Sequence, residues 1–276
     1  MRFDLHAHTT ASDGTLTPEL LVAHACALDL TAIAITDHDS VDSVVPAQMA
    51  ARGTNLTVIS GVELSTSHGE LDVHILGYFV NPHDTSLLDT LRHLRTIRRD
   101  RAVEIVETLS VAGLPVSLDR VLALSGDGAV GRSHVARALV DAGLVPSVGE
   151  AFERFLGRGR PHYRPKPPVD PAVAVRTIVR SGGIAVLAHP GVTGADSLLP
   201  ALLAAGLGGI EAYHAEHTPA QRSHYAALAR DLGLLVTGGS DYHGIPGAGV
   251  ELGSVDIPDH VLTDLLAASA RPGQGS

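Results

Sequence analysis

The sequence predicts an α/β protein in which a mainly parallel sheet closes into a barrel close to the TIM type, interrupted by an inserted helical subdomain. Three observations carry this. Seven short runs rich in Val, Ile and Leu, at residues 3–5, 31–35, 56–59, 71–76, 184–187, 209–212 and 234–237, read as buried strands. Helical patterns separate most of them, and strand alternating with helix implies parallel pairing. The alternation then fails from about residue 83 to residue 169, where the pattern is helical throughout.

The elements follow in order. After the first strand, Thr17 caps a helix opened by Pro18, which continues through Leu20, Leu21, Ala25 and Leu28. The helical stretch begins with Leu87, Leu88, Leu91, Leu94 and Ile97, runs on through Val103, Ile105, Val106 and Leu109, and adds helices near 118–124, 133–142 and 148–155. Pro171 opens a helix that reaches Arg180 and stops at Gly182-Gly183. The expected division is a barrel of residues 1–82 and 170–276 and an insertion of residues 83–169. Charge follows the same boundary: the insertion holds 13 basic and 10 acidic residues, leaving 7 and 20 for the barrel. An acidic barrel suits cations, and a basic cover suits an anionic substrate, although Arg92, Arg95, Arg98, Arg99 and Arg101 read equally as a solvated helix face.

Composition narrows the class. With 276 residues, 45% hydrophobic and 18% charged, the chain has the make-up of a folded globular protein rather than a disordered one. One cysteine excludes a disulfide scaffold, and Cys26, in an Ala/Leu-rich helical pattern, is expected to be a buried structural thiol in a reducing cytoplasm. No run approaches the ~18 apolar residues of a membrane span, and the first residues already read as a strand rather than a secretion leader. Neither a G-x-x-x-x-G-K-[ST] phosphate loop nor a G-x-S-x-G elbow is present.

Histidine is in excess: 16 copies beside four Phe and no Trp. His24, His68, His93, His224 and His260 read as scattered surface residues. The others fall where position matters. His6 and His8 end the first strand, Asp37 and His38 the second, Glu63 follows the third, His74 lies in the fourth, His189 ends the fifth, and Asp241 and His243 follow the seventh. Barrel strand ends converge on one face, and the i, i+2 spacing of His6 and His8 puts both imidazoles on one side of a strand. Neutral imidazoles with carboxylates suit Zn, Mn or Fe, and a carboxylate such as Glu63 can bridge two ions. A multinuclear metal site is the expectation.

These residues also carry a resemblance. The stretch Phe3-Asp4-Leu5-His6-Ala7-His8-Thr9-Thr10-Ala11-Ser12-Asp13-Gly14, then Ile35-Thr36-Asp37-His38-Asp39, Gly61-Val62-Glu63, Ala188-His189-Pro190 and Gly239-Ser240-Asp241-Tyr242-His243, resembles the PHP family, the polymerase and histidinol phosphatase domain. The likeness runs to about Leu252 and is strongest to stand-alone phosphoesterases with a helical insertion, among them nucleoside 3′,5′-bisphosphate phosphatases and a 5′ to 3′ exoribonuclease. It implies a distorted seven-stranded (β/α) TIM-like barrel holding two or three divalent ions (Mn, Zn or Fe). By this resemblance His6, His8, Glu63 and Asp241 hold one ion, Glu63, His74 and His134 a second, and Asp13, His38 and His243 a third. Many members have histidine where this chain has Asp13. Arg132, Arg160 and His189 are the candidates for gripping phosphate, Arg132 and His189 also for catalysis, and Asp37 for orienting a ligating imidazole. Glu211 and His214 receive no role.

Metal ions lower the pKa of bound water toward ~7 and offset charge on phosphoryl oxygens. The reading is therefore a cytoplasmic metal-dependent phosphoesterase acting on a small nucleotide or short RNA end, with no membrane and no obligate protein partner. Its rivals are a histidinol-phosphate phosphatase or other small-molecule phosphatase, a C–N-cleaving amidohydrolase, and a non-catalytic module.

Overall fold

In the structure, a computed structural model describing residues 1–245 and 249–270, seven strands lie side by side in chain order. They are β1 (Phe3–Ala7), β2 (Ala32–Ile35), β3 (Thr57–His68), β4 (Leu71–Tyr78), β5 (Ile184–Leu187), β6 (Gly209–His214) and β7 (Leu235–Gly239). Helices α1 (Pro18–Ala27) and α2 (Val44–Ala50) follow β1 and β2. Between β4 and β5 come α3 (Thr85–Val111), α4 (Leu118–Ser125), α5 (Arg132–Asp141), α6 (Val148–Ala151), which continues into a π-turn, and α7 (Pro171–Arg180). Helices α8 (Pro190–Thr193), α9 (Leu199–Ala205), α10 (Pro219–Asp231) and α11 (Asp259–Ser269) complete the chain. The Thr17 side chain and Pro18 start α1 as expected, and Asp170 with Pro171 starts α7.

The sheet is mainly parallel, as expected, with one reversed strand. β1, β2 and the first part of β3 are parallel, as are β5, β6 and β7, but β4 runs antiparallel to both β3 and β5. β3 continues past Ile59 through Glu63 to His68 and turns back at Gly69-Glu70. The polar run Ser65-Thr66-Ser67 hides this extension from an apolar pattern. Those residues are buried all the same, because Ser65 N–H donates to Asp39, Thr66 Oγ1 to the Val73 carbonyl and Ser67 Oγ to the Pro167 carbonyl. The reversal matters for the site. A strand running backwards brings its early residues to the end of the barrel where its neighbours finish, and Ser65 pairs with His74 there.

The barrel closes between β1 and β7 only at that same end, where Ala7 bridges Tyr242, His8 N–H donates to the Tyr242 carbonyl (2.9 Å) and Asp241 N–H to the His6 carbonyl (2.9 Å). Buried Asp4 fastens the seam, accepting from the N–H groups of His6 and Ser240 on one oxygen and of Gly253 on the other. Gly239 permits the approach, since a Cβ there would stand 2.4 Å from the His6 backbone nitrogen. Cys26 is half-buried at the edge of the α1 packing, less enclosed than expected.

The helical region has its own apolar core, built from Ala102, Ile105, Leu109, Val121, Val135, Leu139 and Leu156 among others. The first half of α3 does not belong to it: Leu87, Leu91 and Leu94 pack into the barrel core. One long helix thus serves both cores, and the change of allegiance falls between Leu94 and Ala102.

Candidate metal centre

His6 and His8 alternate inward from β1, both fully buried, with ring centroids 5.2 Å apart. Their Nε2 atoms face Oε2 of Glu63, each at 3.4 Å, and Oδ1 of Asp241, at 3.3 and 3.0 Å. Donors about 2.0–2.1 Å from a tetrahedral ion stand roughly 3.3–3.4 Å from one another, so four atoms from β1, β3 and the loop after β7 already have the spacing of a coordination shell. All four lie buried without a hydrogen-bonding partner. Buried polar atoms are rarely left so, and a divalent cation satisfies all of them at once.

Glu63 serves both sides of the centre. Its Oε2 also meets His38 Nδ1 (2.8 Å), while its Oε1 meets His74 Nδ1 (2.8 Å) and His189 Nε2 (3.1 Å). Burial alone would raise its pKa, but the imidazoles of His38, His74 and His6 hold it well below the ordinary carboxylate range. A third group lies on the other side of His8. There His243 Nε2 stands 3.1 Å from Asp13 Oδ1, the His243 ring stacks on His8 at 4.1 Å, and His38 closes the set. Asp13 Oδ1 and His38 Nδ1 again lack partners. Burial, with His243 and His38 nearby, depresses His8 to about 4, and burial, with Lys166 nearby, depresses His74 to about 3. Both rings therefore keep a lone pair for a metal at neutral pH. The opposite holds for His6, where burial is outweighed by Glu211, Asp241 and Glu63, and its pKa rises well above the usual imidazole value. His189 rises too, burial being outweighed by Glu63, and His243, against burial and beside Asp13 and Asp241, rises to about 10, so imidazolium balances much of the carboxylate charge.

The structure places several expected residues elsewhere. His134 is buried but does not join Glu63 and His74. Its Nδ1 accepts the Gly131 N–H (3.0 Å) and so satisfies an otherwise unpaired donor at the start of α5. Its neighbour does reach the centre, with Ser133 Oγ donating to Asp13 Oδ2 (2.8 Å). Asp37 touches no imidazole. It accepts from Thr9 N–H, Thr9 Oγ1 and the hydroxyls of Ser12 and Ser43, and so shapes the loop that delivers Asp13. Arg160 is exposed and is not among the residues lining the cavity beside the centre. His68, His93, His224 and His260 are exposed as expected, while His24 is half-buried against Tyr242.

That cavity is cationic. Arg132 lines it, as expected, together with Arg98, Arg101 and Lys166, facing Asp13, His38 and His74. Arg132 and Lys166 share Asp72, at 3.0 and 3.5 Å, and Lys166 Nζ lies 3.1 Å from His74 Nε2. Arg98 is paired with Asp39 and donates to Ser65 Oγ. Residues 98, 101, 102 and 105 form one face of α3 by helical spacing. Arg92, Arg95 and Arg99, the other arginines of this helix, do not line the cavity. Sequence reasoning missed Arg98, Arg101 and Lys166 as site residues. Lys166, the chain's one lysine, was the available signal.

β6 adds two residues the motifs had left idle. Glu211 Oε1 accepts from His6 Nδ1 (2.9 Å), the part expected of Asp37. His214 faces Asp241 Oδ2 at 3.7 Å. Residues three apart on a regular strand point to opposite faces, but a register shift between Glu211 and Tyr213 against β7 brings both inward.

A barrel end that gathers overlapping His and carboxylate groups beside a cationic cavity defines a metal-dependent phosphoesterase. Residues 4–141 match the PHP domain model, and the chain belongs to that family. It is 37% identical to a 5′-3′ exoribonuclease of Haemophilus influenzae, over 95% of this chain and 97% of that one. It is 34% identical to a 3′,5′-nucleoside bisphosphate phosphatase of Chromobacterium violaceum, over 92% of each. The crystal structure of a candidate metal-dependent phosphoesterase from Bifidobacterium adolescentis superposes with a TM-score of 0.90 at 32% identity, covering 98% of this chain and 97% of the other. Among the described residues no helix is long and apolar enough to cross a membrane.

Proposed function

We propose that the chain removes phosphate from a small nucleotide carrying a second anionic group, a nucleoside 3′,5′-bisphosphate, or trims the 5′ end of a short RNA, in the cytoplasm. The observation that carries this is a juxtaposition: a donor nest that would attract a phosphoryl group once it holds divalent ions and, against it, a cavity walled by Arg98, Arg101, Arg132 and Lys166. A simple monoester needs only one of them. Arg101 is 7% exposed and its Nη2 has no partner, so this wall has unused donors. Relatives named for a 3′,5′-bisphosphate and for RNA 5′ ends support the same class.

His6, His8, Glu63 and Asp241 would hold one divalent ion. Glu63 and His74, with His38 or His189 completing the set, would hold a second, and Asp13, His38 and His243, with His8 adjacent, a third, all of them suited to Mn, Zn or Fe. Ions bound there activate water for attack at phosphorus and neutralise the phosphoryl oxygens. The chain's own groups do the rest. Arg132 would exchange Asp72 for phosphate and grip it with two N–H groups, Lys166 would add a point charge, and His189, 3.1 Å from Glu63, would serve the second ion or the phosphoryl group. Phe152 lines the cavity, but with 3% aromatics the chain lacks a platform for many stacked bases, which favours substrates of one to a few nucleotides.

The test compares kcat/KM for a 3′,5′-bisphosphate, the matching 5′-monophosphate, a 5′-phosphorylated short RNA and histidinol phosphate, all with Mn. The bisphosphate or the RNA should exceed the monophosphate at least about tenfold, the value of one charge-assisted hydrogen bond. Histidinol phosphate ahead by an order of magnitude would overturn the nucleotide reading.

A further inference from the structure

β6 supplies none of the residues assigned to the first ion, yet its Glu211 touches two parts of the centre. The side chain is 0% exposed. One oxygen accepts from His6 Nδ1 (2.9 Å) and the other from the backbone N–H of His189 (2.8 Å). The His189 N–H is a fixed donor, and opposite an acceptor-only carboxylate His6 Nδ1 pairs only as a second donor. A carboxylate, which offers acceptors only, matches two opposed donors, whereas a carboxamide would set its own NH₂ against one of them.

The two partners are the ones whose geometry needs fixing. His6 binds through Nε2 only if its proton sits on Nδ1, and an acceptor at Nδ1 decides which nitrogen carries it. His189 has a backbone φ of 27°, a region that non-glycine residues rarely adopt and that persists only where surroundings hold it. Its N–H bond to Glu211 is such a hold, and it keeps His189 Nε2 on Glu63 Oε1.

We infer that Glu211 is the positioning residue of the metal centre, setting the tautomer of His6 for the first ion and the strained backbone of His189 beside the second. This rests on the proposal that the nest holds divalent ions. Glu211 also groups with His6 and His214, but both its oxygens are taken up by His6 and His189, so its role is assigned through those two residues.

The experiment titrates zinc into metal-free wild type, Glu211→Gln and the exposed control Glu104→Gln by calorimetry, with thermal melting of each metal-free protein alongside. Glu211→Gln should bind zinc about 10–100-fold more weakly, the usual effect of removing a carboxylate behind a ligating histidine, while Glu104→Gln matches wild type. Zinc affinity of Glu211→Gln within about threefold of wild type would overturn the inference, whatever its melting temperature. Wild type that binds no zinc would overturn the metal reading instead. If Glu211→Gln does not fold, nitrogen NMR of histidine-labelled, zinc-loaded wild type decides. His6 with a protonated Nδ1 and a metal-shifted Nε2 is the expected pattern, and the reverse refutes the assignment.

Discussion

Replacing Arg98 with Met separates charge from shape at the join between insertion and barrel. Arg98 is 11% exposed, and its partner Asp39 is 0% exposed with a backbone φ of 51°. The variant keeps most of the apolar stem and leaves Asp39 with only the Ser65 N–H bond at 2.8 Å. Stranding one member of a buried ion pair costs about 3–5 kcal/mol. At roughly 2–4 °C per kcal/mol for a chain of this size, melting should fall by about 6–20 °C. Acid should narrow the gap. In wild type, burial would raise the Asp39 pKa, but Arg98 chiefly, with the Ser65 N–H, holds it below the ordinary value, so the native carboxylate stabilises the fold at any pH above its unfolded pKa. Without the guanidinium, burial prevails and the folded-state pKa moves up. The penalty is then largest where the carboxyl must be ionised, near neutrality, and shrinks as pH falls through the raised pKa, while the share owed to the depressed wild-type pKa is lost only in stronger acid. Adding Asp39→Asn, which tolerates the same positive φ, should return a large part of the loss. The assay is urea unfolding of the three variants and wild type at pH 7 and pH 4.5. A loss under about 1 kcal/mol at pH 7, or a gap that widens in acid, would refute the reasoning.

Three further outcomes are expected. Purified protein should carry divalent ions and lose phosphoesterase activity on chelation, regaining it with Mn or Zn, and elemental analysis together with a chelator titration checks this. Arg132→Ala should lower kcat/KM by about 10–150-fold with metal content intact, the value of one or two charged hydrogen bonds. The exposed Arg120→Ala, which loses only its bond to Asp141, should change little. Arg222 is unsuited as that neutral reference, because it donates to the carbonyls of His214 and His217 on the β6 loop. Gly239→Ala should abolish metal binding and cost several kcal/mol of stability, since its Cβ would stand 2.4 Å from His6 and force the β1–β7 seam apart. Circular dichroism with metal titration reads both effects.

The strand ends were legible because a barrel turns them into one surface, so His6, His8, His38, Glu63, Asp241 and His243 could be gathered from spacing alone. Three things were not. The reversal of β4 depends on a buried polar stretch whose partners, Asp39 and the 167–169 backbone, lie far away in sequence. His134 looked like a ligand because it sits in a motif-like stretch, but a histidine three residues into a helix can also reach back to cap it, and local sequence does not separate the two. The arginines that wall the cavity could not be picked out either: among five on α3, the packing of Leu91 and Leu94 against the barrel turns Arg98 and Arg101 toward the donor nest. Glu211 stayed without a role for the same reason, since its value lies wholly in what β1 and β5 present to it.

The seam between β1 and β7 also bears on how the protein is made. His6 and Asp241, which meet across the seam, stand 235 residues apart in the chain, so His6 is synthesised well before its partner. Until then the early histidines belong to a chain with no closed barrel and no fourth ligand. A nascent or truncated product lacking β7 would therefore miss one of the four donors proposed for the first ion, however well its helical core has folded. If those residues hold the ion, phosphoesterase competence would depend on the long-range docking of β7 against β1, a contact of high sequence separation that forms late in general.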